Sequence, residues 1–293
     1  MSDPTRHPAP VARPATIGTR VAGVGLLTGW GEGPGALPED AARAAGGRDV
    51  VALARPAVEG ERFRRATREC LLGIAAVEAL LRDAGLGRED IRGPATALVY
   101  ATAAAYGASN VAFVEASAAE ASGEKGRMAG PLHFPYTAPS AVPGEVAIEF
   151  GLTGPYVILL GGATAAIDAL WQATRLLEGG GAARALVLAV ETFADCAPLW
   201  ARGRRLVRGP LVEAAACALL VPGGRSAAYA PAPTPAPLET LARRRAGETL
   251  ACAPLVALAL AGEARERGPL ALGGEWRGRR AGLVWAGGPA AAP

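Results

Sequence analysis

Residues 154–170 read Gly-Pro-Tyr-Val-Ile-Leu-Leu-Gly-Gly-Ala-Thr-Ala-Ala-Ile-Asp-Ala-Leu, and they limit the possible folds more than any other stretch. Gly154-Pro155 is a turn dipeptide. Tyr156–Leu160 is an unbroken apolar run with the length and flanks of a buried strand. Gly161-Gly162 interrupts it, and from Ala163 apolar residues recur at helical spacing. The chain must therefore turn sharply from a strand into a helix. Free N–H groups and the helix dipole at such a turn favour developing negative charge, and enzymes place nucleophiles at elbows of this kind. Here the elbow residue is Ala163, which has no chemistry.

The flanking sequence alternates strands and helices. Residues 20–27, 95–102 and 184–190 are apolar runs of strand length, the last ending at Glu191. Phe63, Ala66, Cys70, Ile74, Val77 and Leu81 form one apolar stripe and predict a helix over 61–83, stopped by Gly85. Further helices are expected near 37–45 and over 110–121, 141–150 and 163–178. Apolar strands alternating with helices predict an α/β fold whose mostly parallel sheet is covered by helices on both faces. Residues 212–221 and 227–230 read as two adjacent strands. A Pro/Ala linker follows at 231–237, then a helix over about 249–265 and a strand at 281–285. The expected organisation is a disordered tail at 1–19, an α/β domain at 20–230, and a linker with a short remnant at 231–293.

Composition removes several function classes. The formal charge is only +3, and no basic run carries interleaved aromatics, so nucleic acid is not an expected partner. Gly23, Gly25 and Gly29 do not have the spacing of a dinucleotide fingerprint. The only histidines are His7 and His133, which leaves neither a histidine-based triad nor a histidine metal cluster. Cys70, Cys196, Cys217 and Cys252 lack metal-ligand spacing, so no metal or cofactor is expected. Apolar stretches are broken by Gly, Pro or charge, so no membrane span is expected. The start of the chain does not read as a signal peptide, and a reducing cytoplasmic setting is the expectation. Two arginine groups stand out, Arg202, Arg204, Arg205 and Arg208, and Arg243, Arg244 and Arg245. They read as solvated loop charge or as a landing patch for an acidic carrier protein.

Gly151-Leu-Thr-Gly-Pro155, the strand, the small-residue elbow and its helix resemble the nucleophile region of β-ketoacyl synthases, which have the thiolase fold. Ser140-Ala-Val-Pro-Gly-Glu-Val-Ala-Ile-Glu-Phe-Gly151 resembles the helix before that strand, and the match runs without gaps to about Glu191. Residues 212–221 (Val-Glu-Ala-Ala-Ala-Cys-Ala-Leu-Leu-Val) resemble the family's Gly-Glu-Gly-Ala-Gly strand, with Glu213 at the matching Glu. The resemblance implies that a catalytic Cys is replaced by Ala163. It also implies that the two catalytic histidines are missing, and Gly247-Glu248-Thr249-Leu250-Ala251-Cys252 is the nearest match to the second, putting Glu248 in its place. Gly162, Ala163, Thr164 and Phe193 would line a substrate site. Dimerisation through Tyr156–Leu160 is implied as well.

Other residues offer little replacement chemistry. Thr164 has no histidine base and reads as a helix-start hydroxyl, Glu191 as a strand end, and Cys196 as a loop thiol with nothing to lower its pKa. Glu145 and Glu149 read as a solvated helix edge. The leading expectation is a degenerate, non-catalytic, chain-length-factor-like subunit. It would pair with an active ketosynthase, or with itself, in a bacterial polyketide or fatty-acid-type pathway, with an acyl carrier protein as a further partner. The alternative is an acyltransferase or thioesterase that acts on acyl-carrier thioesters through a remodelled site.

Overall fold

The structure is a computed structural model and describes residues 18–64, 66–122, 134–194, 209–224, 226–230, 234–263 and 268–286. His7, Lys125, His133, Cys196 and the group Arg202, Arg204, Arg205 and Arg208 lie outside the described residues, as do residues 1–17 of the tail expected at 1–19 and the loop at 123–130.

The main sheet has six strands in the order β2-β1-β8-β6-β4-β5. They are β1 (Thr19–Thr28), β2 (Gly31–Glu32), β4 (Thr96–Thr102), β5 (Tyr156–Leu160), β6 (Arg184–Glu191) and β8 (Ala214–Pro222). β4 pairs in parallel with β5 and β6, whereas β8 runs antiparallel to both β6 and β1. β1, β4, β5 and β6 therefore point one way. A separate two-residue parallel pair joins β3 (Val50–Val51) to β7 (Leu211–Val212).

The strands alternate which face each side chain occupies. Leu98, Tyr100, Leu186 and Leu188 pack with Cys70, Ile74 and Val77 of α2 (Arg68–Ala84) and Val142 and Val146 of α5 (Ala141–Phe150). On the other face, Val99, Ala101, Val187, Ala189, Ala216 and Ala218 meet Ala166, Ile167 and Leu170 of α6 (Ala163–Glu178). The same cluster takes in Leu255, Val256 and Leu258 of α8 (Ala253–Glu263) and Leu238, Ala242 and Ala246 of α7 (Pro237–Ala246). α8 is apolar all round, because it too is covered on all sides. The helices α1 (Ala41–Ala45), α3 (Arg88–Ile91) and α4 (Gly107–Ala121) lie at the periphery.

A second sheet has the order β10-β11-β9, from β9 (Ala227–Ala230), β10 (Leu270–Trp276) and β11 (Arg279–Trp285). α6 is sandwiched between the two sheets. β10 and β11 form a hairpin closed by Arg277-Gly278, both at positive φ.

Five sequence expectations change. Tyr156–Leu160 reads as a buried strand but forms an edge of the main sheet, with Tyr156 and Leu160 exposed. Residues 227–230 do not adjoin 212–221 in a sheet; β9 pairs with β11 instead. The helix over 61–83 is a 3-10 turn at Glu61–Arg64 followed by α2, because Thr67 takes an extended backbone and restarts the helix. The helix expected at 249–265 is a 3-10 turn, Leu250–Cys252, followed by α8. Glu145 and Glu149 are tied to Arg62 at 2.7 and 3.2 Å, and Glu149 also to Arg88 at 2.7 Å, so this helix edge is cross-linked.

Candidate functional site: the elbow and its cover

The carboxyl ends of parallel strands are where open α/β sheets hold ligands. Here β4 ends at Thr102 and leads into Ala103-Ala104, β5 ends at the elbow and β6 at Glu191. Gly161 makes the turn at φ +153°, which a side chain would not tolerate. α6 starts at Ala163 with no side-chain cap. The frame expected from the sequence is thus present.

C-terminal segments fill the space above it. A Cβ added at Gly274 of β10 would lie 2.9 Å from the Cβ of Ala163 and 2.7 Å from its carbonyl oxygen, so this strand runs directly over the elbow. The Trp276 indole is seated on Gly162, where a methyl group would overlap the ring. Ala163 is only 7% exposed. Phe193 is fully buried and packs with Ala104, Leu211 and Leu250, with Trp276 against the same cluster. The structure therefore brings Gly162, Ala163 and Phe193 under one cover, while Thr164 is half-buried beside them. Glu248 sits in the turn before Leu250–Cys252, where its Oε1 accepts from the Leu250 N–H at 3.0 Å and its Oε2 lies 3.9 Å from Arg243. Burial pushes its carboxyl pKa upward, with Arg243 opposing.

Glu191 and Glu213 hold the walls of this crevice. Glu191 is fully buried; its Oε1 accepts from the N–H groups of Ala103 (2.7 Å) and Ala251 (3.2 Å), and its Oε2 from Ala104 (2.9 Å). It ties the end of β4 to the 3-10 turn. Burial raises its pKa from 4.5 to about 8 against the pull of those three N–H groups. Between these values the unfolded chain has lost this proton and the folded chain keeps it, so stability falls as pH rises across the window. The expected slope from this group is at most about 1.4 kcal/mol per pH unit. Urea midpoints measured from pH 5 to 8 should lose this slope in Glu191→Gln; parallel curves for the two proteins would refute the assignment.

Glu213 makes the densest set of bonds. Its Oε2 accepts from Arg68 at 2.5 Å and from the Leu53 N–H at 2.7 Å. Its Oε1 accepts from Arg68 at 2.8 Å and from the Phe193 and Ala194 N–H groups at 2.7 Å each. Its role is to fix the loop that carries Phe193.

The described cysteines do not supply a nucleophile. Burial raises Cys70 to about 12 and drives Cys217 and Cys252 upward as well, so all three are protonated near neutral pH. Among the described residues no group of His, Cys, Asp and Glu is arranged to hold a metal ion, and no helix is long and apolar enough to cross a membrane. Gly23 and Gly25 allow close packing of β1 on α2. Arg245 is committed to the carbonyls of Leu37 (2.8 Å), Pro38 (3.3 Å) and Pro34 (3.5 Å), so one arginine of the 243–245 group acts as internal structure.

The sequence profile of the β-ketoacyl synthase N-terminal domain matches residues 40–204, over half of the chain. The chain belongs to the β-ketoacyl synthase family. The comparison with curated proteins found no match. Among solved structures, a type II polyketide synthase complex of the ketosynthase AntDE with its acyl carrier protein AntF aligns at TM-score 0.73 and 14% identity, over 93% of this chain and 100% of that one. The ishigamide ketosynthase/chain length factor aligns at 0.66 and 17%, over 92% and 98%. The ketosynthase ApeO in complex with its chain length factor ApeC from Xenorhabdus doucetiae aligns at 0.58 and 13%, over 92% and 99%. These similarities show a thiolase-like ketosynthase fold.

Sequence reasoning did not find β10, the strand that covers the elbow. The available signal was weak alternation on either side of an Arg-Gly turn.

Proposed function

We propose that this chain is a non-catalytic, ketosynthase-like subunit that pairs with an active ketosynthase, in the manner of a chain length factor, in bacterial polyketide or fatty-acid-type biosynthesis. The observation that carries this reading is the elbow itself, an intact strand-turn-helix frame with Ala163 at the reactive position and no thiolate among the described cysteines. Acyl transfer through a covalent intermediate requires an activated nucleophile, and the elbow offers none. Among the described residues, no feature of the crevice favours the acyltransferase or thioesterase alternative.

The pairing surface in this reading is β5, an edge strand of the main sheet. It carries exposed Tyr156 (43%) and Leu160 (57%), and Ile148 of the neighbouring α5 is exposed as well. An unpaired edge with apolar flanks can extend a sheet across an interface without rearrangement. Solved relatives include a ketosynthase with its chain length factor and another with its acyl carrier protein, which supports a ketosynthase as partner and a carrier protein as a further contact.

Native mass measurement after co-expression with a catalytically active type II ketosynthase tests the proposal. A stable one-to-one complex is expected. Tyr156→Asp combined with Leu160→Asp should weaken it by roughly 100-fold or more, since it places charge at the centre of the contact. A chain that binds no ketosynthase, or a complex indifferent to both substitutions, would overturn the reading.

A further inference from the structure

We infer that Trp276 is a built-in occupant of the crevice above the elbow, filling the space an acyl thioester would need in order to reach residue 163. The inference builds on the non-catalytic reading but goes beyond it: loss of the nucleophile alone would leave an open pocket able to hold a ligand, whereas this chain closes the pocket with its own side chain. The closure has three parts. The indole rests on Gly162, and the only side chain compatible with that contact is a hydrogen. The β10 backbone at Gly274 lies against Ala163, leaving no volume for a substituent between them. Trp276 also packs against the apolar cluster of Phe193, Leu211, Leu250 and Ala104, so its ring is held by β7, the segments that follow β4 and β6, and the 3-10 turn.

The hairpin bearing the indole is itself clamped on its opposite face. Arg280 of β11 donates to Glu239 at 2.6 Å and to Glu275 at 2.8 Å. The Glu239 carboxylate lies over Gly273, the residue next to the one that touches Ala163. Trp276 and Arg279 are the last pair before the Arg277-Gly278 turn, so the ring sits at the rigid base of a two-residue loop. The closure is thus part of the packed structure.

A reporter thiol tests this without any partner protein, so it can fail independently of the pairing proposal. Ala163→Cys would be labelled with a disulfide reagent of the dithiobis-nitrobenzoate type: the thiolate attacks the reagent disulfide, forms a mixed disulfide and releases one thionitrobenzoate. Peptide mass mapping separates this site from the native cysteines. In the folded protein labelling should be roughly 100-fold slower than in urea, because it must wait for local opening. Adding Trp276→Leu should speed it at least about tenfold while circular dichroism stays native. Rapid labelling with Trp276 in place, or no acceleration by Trp276→Leu, would overturn the inference. Should the cysteine variant not fold, octanoyl-CoA titrated into the unaltered protein and into Trp276→Leu decides the matter. Binding confined to Trp276→Leu supports closure, and equal behaviour of the two proteins refutes it.

Discussion

Glu213→Ala is expected to destabilise the protein by about 3–5 kcal/mol, the range for removing one partner of a buried ion pair. The substitution leaves Arg68, only 14% exposed, without its carboxylate, and it strips acceptors from the N–H groups of Leu53, Phe193 and Ala194 at once. Urea denaturation should show the midpoint falling at unchanged slope; a loss below about 1 kcal/mol would mean that the ties are not cooperative. The carboxylate also predicts a pH effect. Burial works to raise its pKa, but the bonds from Arg68 and then from the backbone N–H groups outweigh this and hold it below 4.5. The stability it supplies is therefore present above 4.5 and is lost as pH falls through the depressed folded value. Glu213→Gln should remove that acid-range dependence and should cost less than alanine at neutral pH, because one amide oxygen still accepts.

Gly25→Ala is expected to have the second large effect. A methyl group there would overlap the backbone of α2 at the Ala76 carbonyl and the Leu80 amide and would lie 2.9 Å from the Ala79 carbonyl carbon. These are main-chain atoms of a buried helix, so no flexible side chain can move aside. The strand and helix must separate, at a cost of roughly 1–3 kcal/mol or more from overpacking. Gly35→Ala is a suitable control, because the nearest atom to a Cβ there is 3.9 Å away. Thermal midpoints of the two variants should differ by several degrees, and equal midpoints would show that β1 can shift freely on α2.

The parts of the fold that were legible in the sequence share one physical property. β5, α5 and α6 are apolar runs or stripes bounded by glycine, and their ends fall where the sequence reading put them. The elbow was legible for the same reason, since two glycines between a strand and a helix have few other uses. α7 was missed because Pro-Leu-Glu-Thr-Leu-Ala-Arg-Arg-Arg-Ala is polar and follows a Pro-rich stretch, although a proline at its start, Glu239 in its first turn and three arginines in its last are helix-end signals. β10 was missed because Gly273-Gly274 lowers its strand propensity. The two glycines are there because Glu239 presses on one face of the strand and Ala163 on the other, a constraint set by tertiary contacts and invisible in local sequence. For the same reason the strand-turn-helix at Ala163 was legible locally, while its cover could not be read at all.

The position of α6 between two sheets has a consequence for how the molecule breathes. A helix on the outside of a domain can fray without disturbing what lies beneath it, and its amide hydrogens then exchange with solvent through small local openings. α6 has main sheet on one side and the β9–β11 sheet on the other, and its central residues Ala166, Ile167, Ala169, Leu170 and Ala173 are fully buried. Its amides should exchange with deuterium only when the whole molecule unfolds, at rates that report the global free energy. The helix that begins at the elbow thereby joins the slowest-exchanging part of the protein and acts as the keel that keeps the two sheets together.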